Sequence, residues 1–259
     1  MQSFWQDMKY AMRSLRNSPS FAIIAVLTLG LGMAVNTTVF SIVNGLLLRA
    51  LPVPHAEQIT VLAMKQQGAE GFQSFSYPDY LDIRSQAAGS AEVFGYRTSL
   101  VSLISEGKGD HCVVSRVTGN YFSALGVKPA LGRLILPNEG QTPGADPVLV
   151  LGYAYWQKRF GGDRAVVGKQ VQVDGHAVTI VGVTPKEFQG TYAFLNMDGY
   201  IPISAIAGLG GNSPVEETWT HREHRSISLM ARLKPGVDMQ QAKAALGVIA
   251  KRIAATSGD

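Results

Sequence analysis

From Asn17 to Leu48 the chain carries no charged residue, and that run constrains the fold more than any other feature. A hydrocarbon core ~30 Å thick takes roughly 20 apolar residues to cross as a helix. The run is longer than that. Ser18 and Pro19 suit an N-cap and a first turn, so the sequence predicts a helix beginning there. At about 1.5 Å per residue, Phe21 to Leu48 would reach ~42 Å, and such a helix must tilt or protrude. A cleaved signal peptide is the plainer alternative, but its apolar region spans only about 7–15 residues before a small-residue cleavage site. An uncleaved anchor is the expectation. Lys9, Arg13 and Arg16 precede the span, whereas Arg49 alone follows it before Glu57. The positive-inside rule then places the N-terminus in the cytoplasm and the C-terminal bulk outside.

Within the span, Gly30, Ala34, Thr38, Ser41 and Gly45 recur at steps of three and four, which sets them on one helical face. Small, faintly polar residues let a second helix approach closely, so this stripe is a candidate packing face. Chance placement of small residues is the competing explanation. Before the span, Phe4, Met8, Met12 and Leu15 share one face with Trp5 at its edge, and Lys9, Arg13 and Arg16 gather beside them. That pattern predicts an interfacial helix along the cytoplasmic leaflet, with Trp5, Lys9, Arg13 and Arg16 touching the membrane surface. A merely solvated helix is the alternative.

The pI of about 9.2 and net charge of +4 would suggest an anionic partner if the charges were clustered. Lys9, Arg13 and Arg16 against Asp7 leave the first twenty residues at +2, and no basic run follows Arg49. Nucleic acid is therefore not indicated. Cys112 is the only cysteine, which excludes an internal disulfide and a multi-thiolate metal site.

After Pro52 and Pro54 the pattern changes to short alternating runs. Ile59 to Met64 reads as a strand, Ser76 with Pro78, Tyr80, Leu81 and Ile83 as a capped helix, and a strand lies within Val93 to Ile104. Together they predict a β-α-β unit. Next come a strand near Cys112 to Val117, a helix Tyr121 to Leu125 stopped by Gly126, a strand Val148 to Leu151 and a helix Tyr153 to Phe160. Val171 and Val173, the turn pair Asp174-Gly175, and Val178, Ile180 and Gly182 spell a hairpin. Ile227 to Leu233 is a strand, Pro235-Gly236 a turn, and Asp238 with Gln241 resembles a capping box. Met239, Ala242, Leu246, Ile249 and Ile253 then form an apolar stripe, with Gln240, Lys243 and Lys251 outside it. Such a β-α pair calls for a return strand, so the expectation is that the chain is incomplete at its C-terminus.

Catalytic patterns fit poorly. In Gly161 to Lys169, Gly168-Lys169 is followed by Gln170 rather than Ser or Thr, and the segment leads into a strand, not the helix a phosphate loop needs. His221 and His224 lack further ligands at useful spacing and read as a polar loop. Asp79 and Asp82 stand one turn apart, where paired carboxylates could do acid–base work, but a solvated face explains them more simply. No catalytic residue, cofactor or metal site is expected, and an anchored hydrolase using His221, His224 or Asp79 is the reading this disfavours.

Several segments carry a family likeness: Asn36-Thr37-Thr38-Val39-Phe40-Ser41 into Leu47-Leu48-Arg49, Tyr77-Pro78-Asp79-Tyr80, Val117-Thr118-Gly119-Asn120-Tyr121-Phe122 before Leu125-Gly126, and Gly132-Arg133. Trp156, Arg159-Phe160-Gly161-Gly162 with Val167-Gly168, and Val181-Gly182-Val183 continue the series. In this order they resemble the first membrane helix and periplasmic core domain of ABC-transporter permeases of the MacB and FtsX type, especially the duplicated orphan branch. The resemblance implies an α+β fold: an interfacial helix at 1–17, a transmembrane helix at 18–50 and a periplasmic core domain at 51–259. That domain would comprise a porter-like β-α-β subdomain (51–106 plus 218–259) and an inserted mixed α/β subdomain (107–217). It further implies a permease in a bacterial inner membrane that couples ATP hydrolysis by a separate cytoplasmic ABC ATPase to periplasmic work, by mechanotransmission. Further permease helices or a second permease copy, membrane lipid and a periplasmic adaptor would be its partners. The remaining three membrane helices of the family pattern are absent from this sequence. A single-pass anchored sensor or binding module is the alternative.

Overall fold

The computed structural model describes residues 13, 19–47, 53–63, 74–191, 195–205, 221–238, 240, 242, 244 and 247–249. Residues 1–50 and 51–259 form two compact units. In the first, helix α1 runs Pro19–Leu47, 29 residues without a charge. Its described large apolar side chains, from Ile23 to Phe40, are 58–70% exposed, so no face of them is covered within the unit. Counted over the described residues alone, no helix is long and apolar enough to cross a membrane. Arg13 is helical and exposed, while Trp5, Lys9 and Arg16 lie outside the described residues.

The second unit is built on one nine-stranded sheet. Its elements in chain order are β1 (Ile59–Leu62), α2 (Tyr77–Ala87), β2 (Ala91–Ser105), β3 (Lys108–Val117), α3 (Tyr121–Leu125), β4 (Leu131–Gly132) and β5 (Val148–Leu151). There follow α4 (Tyr153–Phe160), β6 (Gln170–Val173), β7 (His176–Val183), β8 (Gly199–Pro202) and β9 (Ser228–Leu233). Helical backbone recurs at 240, 242, 244 and 247–249. The sequence anticipates every one of these strands and helices except β4 and β8. The former is two residues long, and the latter, Gly199–Pro202, begins with glycine and ends with proline, neither of which signals a strand. Met239, Gln241, Lys243, Leu246, Lys251 and Ile253 of the C-terminal stripe lie outside the described residues.

The 15-residue β2 organises the sheet. One edge pairs along Tyr96–Ser105 with β3, through a turn at Glu106 and Gly107 that both take positive φ. The other edge is shared: β9 takes Ala91–Tyr96 and β6 takes Leu103 and Ile104. Because β6 also pairs β7, the strands β2-β3-β8-β5-β7-β6 close on themselves. Closure removes free edges and leaves one side of every strand an interior. Val101, Leu103, Cys112, Val114, Leu149, Leu151, Val173 and Ile180 pack as one cluster, joined by Tyr155 and Trp156 of α4. The β6–β7 hairpin turns at Asp174-Gly175, both at positive φ, as the pair's chemistry requires.

At the other end β9 runs antiparallel to both β1 and β2, so β1 and β2 are parallel with β9 between them. The expected β-α-β unit is thus a split one. Tyr77, Tyr80, Ile83 and Ala87 of α2 recur at helical spacing and bury against Val93, Ile227, Leu229 and Ala231, with Ala242 and Ile249 from the C-terminal helical stretch. A third cluster, centred on Tyr121, Phe122 and Tyr200, contains residues of β2, α3, β5, β8 and β9. Arg232 of β9 donates to the carbonyls of Ala124, Leu125 and Pro54, a cation at the carbonyl end of α3. Since Ile180 is fully buried and Leu100 is 66% exposed, Ile180→Ala is expected to lower stability by about 2–5 kcal/mol and Leu100→Ala by less than ~0.5. Chemical denaturation of the two variants checks this.

Candidate functional site

Two of the motif segments meet in space, and α2 brings them together. Helix α2 is capped by Ser76, whose hydroxyl accepts from the Asp79 amide at 3.2 Å while the Asp79 carboxylate accepts from the Ser76 amide at 3.1 Å. This reciprocal cap satisfies two amide donors at a buried terminus. One turn on, the Tyr80 hydroxyl donates to Asn120 Oδ1 at 3.2 Å. The Thr118 hydroxyl donates to the same oxygen at 2.9 Å and itself accepts from the Gly95 amide at 3.0 Å. Asn120 Nδ2 donates to the Val93 carbonyl at 2.9 Å and to Glu92 at 3.3 Å.

The Asn120 side chain is only 2% exposed and its amide makes four hydrogen bonds, the full capacity of that group. It thereby ties α2, the first half of β2 and the loop after β3. Between Thr118 and Asn120 only glycine fits, because a Cβ on Gly119 would overlap the carbonyl oxygens of Glu139, Leu136 and Pro137. That loop is held in turn by Arg133, whose guanidinium makes a two-pronged contact with buried Glu139 at 2.8 and 3.0 Å. Burial raises the Tyr80 hydroxyl's pKa and pushes that of Tyr77 up to about 12, so both hydroxyls are neutral at neutral pH.

On the same helix, Arg222 donates to Asp79 at 2.8 Å and to Asp82 at 2.5 Å. The solvated face expected for these carboxylates is corrected here: Asp79 is wholly buried and Asp82 is 43% exposed. Their acids hold a cation from a segment 140 or more residues away in sequence. The hydrogen bond to Asp82, and then that to Asp79, keep Arg222 charged by raising its pKa. His221 and His224 flank it in a turn, ring centroids 6.3 Å apart. Among the described residues no group of three or more His, Cys, Asp and Glu side chains could hold a metal.

The other sequence-derived candidates are placed as follows. Gly161 ends α4, Asp163 caps the short turn that follows, and Gln170 begins β6, so the segment from Gly161 to Lys169 does lead into a strand. Gly30, Ala34, Thr38 and Ser41 lie in α1 and are exposed; the backbone of Gly45 is helical. The Thr38 hydroxyl donates to the Ala34 carbonyl at 2.7 Å, one turn back, so only its acceptor side is left for another helix. A half-open groove of about 310 Å³ runs between Tyr153, Gln157, Lys186, Phe188, Asn196 and Met197. Sequence reading missed the role of Arg222, because its partners lie on another element and leave no local signal. Asn120 had one: a lone amide just ahead of the apolar run Tyr121 to Leu125.

A sequence model of the MacB-like periplasmic core domain matches residues 22–248. The chain belongs to that family. Its fold is similar to the periplasmic region of MacB from Actinobacillus actinomycetemcomitans, at 17% identity over 75% of this chain and 83% of that one, with a TM-score of 0.57. It is likewise similar to a domain of a putative permease protein from Porphyromonas gingivalis, at 19% identity over 77% and 86%, TM-score 0.57. A third similar structure is the extracellular domain of the noncanonic ABC-type transporter YknZ from Gram-positive bacteria, at 15% identity over 75% and 91%, TM-score 0.51. No curated relative matches the chain. The family match supports a periplasmic domain of a membrane permease component.

The hub and the clasp make separable demands on stability. Asn120→Ala strips partners from Tyr80, Thr118 and Val93 and is expected to cost about 3 kcal/mol, and Asn120→Asp more, since a carboxylate would face the Val93 carbonyl. Arg222→Ala leaves buried Asp79 uncompensated and is expected to cost about 2–3 kcal/mol, reduced from the fully buried case by the arginine's exposure. Asp82→Asn is expected to cost under ~1 kcal/mol. Urea midpoints of the four variants are the check, lowest for Asn120→Asp and then rising through Asn120→Ala and Arg222→Ala to Asp82→Asn.

Proposed function

We propose that this chain carries movement from a cytoplasmic ABC ATPase, through α1, to a periplasmic domain, as the mechanotransmitting part of a permease. The observation that carries the reading is the reach of the family match, which takes in both α1 and the sheet domain within residues 22–248. The uncharged run from Asn17 to Leu48 in the sequence supports membrane crossing, and the exposed described apolar positions of α1 suit lipid rather than water. Lys9, Arg13 and Arg16 before it orient the N-terminus to the cytoplasm. Gly30, Ala34, Thr38, Ser41 and Gly45 would pack against further permease helices or a second copy, while Trp5, Lys9, Arg13 and Arg16 would hold the leaflet surface. The chain itself would catalyse nothing. Porter-like (51–106 plus 218–259) and inserted (107–217) subdomains would move together on β2, toward export or other periplasmic work with an adaptor. A tethered binding module is the second reading, favoured by the groove beside Tyr153 and Phe188.

Topology and coupling are tested together by thiol labelling in spheroplasts. Cys112 is fully buried and burial raises its thiol's pKa, so it gives little background. A membrane-impermeant maleimide is expected to label Lys108→Cys in intact spheroplasts and Ser3→Cys only after lysis. The reverse pattern would overturn the orientation. In membranes that hold the partner ATPase, ATP but not a non-hydrolysable analogue is expected to change the Lys108→Cys labelling rate, and an unchanged rate would favour the binding module.

A further inference from the structure

Residues 53–58 lie in the sequence between α1, which ends at Leu47, and β1, which starts at Ile59. A slack tether would be rich in glycine and polar residues, whereas this stretch carries Pro54, with Pro52 just before it. Each proline fixes its own φ and restricts the residue that precedes it. His55 sits in the left-handed region at φ 53°, and its carbonyl accepts from the Gln58 amide at 3.0 Å, which closes a tight turn over Ala56–Gln58. Val53 before this turn and Ile59 after it pack against the third apolar cluster. The segment is therefore a shaped elbow.

Arg232 grips this elbow. In the sheet it stands beside Ile59 of β1 and directly opposite Glu92 of β2, an acid that also accepts from Asn120. The last carbonyls of a helix have no partner within it, and α3 is only five residues long. The Gly126 amide donates to the carbonyls of Phe122 and Ser123, and the Arg232 guanidinium donates to those of Ala124 and Leu125. The same guanidinium donates to the Pro54 carbonyl at 2.8 Å and to Gln58 Oε1 at 3.4 Å. On the helix side, the Pro54 ring comes within 3.7 Å of the point where a Cβ on Gly126 would stand. One planar cation, its donors fixed in a fork, thus joins the elbow, the end of α3 and the strand β9.

We infer that Arg232 is the positioning residue through which displacement of α1 enters residues 51–259. This inference rests on the permease reading. Movement passed along the chain from α1 reaches residues 53–58 before it reaches β1. With Pro54 held on the carboxyl end of α3, that movement shifts α3, β1 and β9 together. Without the guanidinium the elbow bends at its own turn, and the movement is absorbed there. Hydrogen bonds from a charged donor are stronger than neutral ones, so carbonyls suffice as acceptors for a firm grip. A lysine would keep the charge but act as a point donor, and would not reach the carbonyls of two segments at once.

Two measurements on the full chain test this role. In membranes that hold the partner ATPase, Arg232→Gln is expected to cut the ATP-dependent change in Lys108→Cys labelling rate at least about fivefold. Arg232→Lys, a milder change that serves if the first fails to fold, is expected to lose most of the response as well. Lys234→Gln removes an equal charge nearby and is expected to leave the response whole. In detergent without ATP, hydrogen exchange at the Gln58 amide is expected to quicken roughly tenfold in Arg232→Gln, while the amides of Leu229 and Ala231 exchange as slowly as before. Unchanged exchange at Gln58 would overturn the grip on the elbow, whatever the permease does. Quickened exchange with an intact ATP response would overturn the coupling role and leave the permease reading standing. No ATP response with Arg232 in place would overturn the permease reading and the coupling role with it, and the exchange result would still report on the grip.

Discussion

One buried amide, that of Asn120, is the interaction on which the outer domain's architecture most depends. Its oxygen accepts from Tyr80 and Thr118 and its nitrogen donates to Val93 and Glu92, so a helix, a strand and a loop are fixed by a single side chain. A buried polar network is stabilising only when complete, and this one leaves no donor or acceptor of the amide unused. Thr118 extends it to the Gly95 amide, and Gly119 lets the loop that Arg133 and Glu139 shape close over it. Beside it the Arg222 clasp pins the same helix by its N-terminal turn.

What the hub fixes, β2 joins to the rest of the sheet. That strand is the only element to pair with β9 at one end and with β6 at the other among the described residues, and its 15 residues contribute to all three apolar clusters. From Ala91 to Ser105 β2 is paired to β9 and then to β3, so hydrogen-bonded backbone runs without a linker from the α2 end to the closed ring of strands. The domain thus has the mechanical continuity that a MacB-like permease would need if helix movement is to do work outside the membrane.

Local signals in the sequence proved reliable where the physics is local. Ser76 with Asp79, Asp174-Gly175 and Gly126 each fix a cap or a turn by their own chemistry, and the helices and hairpin they bound are where the pattern puts them. Strands with alternating side chains, such as β6 and β7 on either side of Asp174-Gly175, were equally legible. The two-residue β4 and the Gly199–Pro202 strand β8 were not, the one too short to carry a period and the other bounded by glycine and proline. The insertion of β9 between β1 and β2 was hidden for a different reason: pairing across more than a hundred residues depends on topology, not on either strand's composition. The same distance concealed Arg222, and made buried Asp79 resemble a solvated residue. The motif residues Tyr80 and Asn120 were visible as a family likeness, but their direct contact was not.

The claim that β2 and the Asn120 hub make residues 51–259 one mechanical unit is tested most directly by native-state hydrogen exchange on the full chain. If the account holds, the slowest amides of Val93 to Tyr96 and those of Val101 to Leu103 will open with the same free energy, and Asn120→Ala will lower both together. Two distinct opening free energies, with Asn120→Ala affecting only the first group, would contradict it.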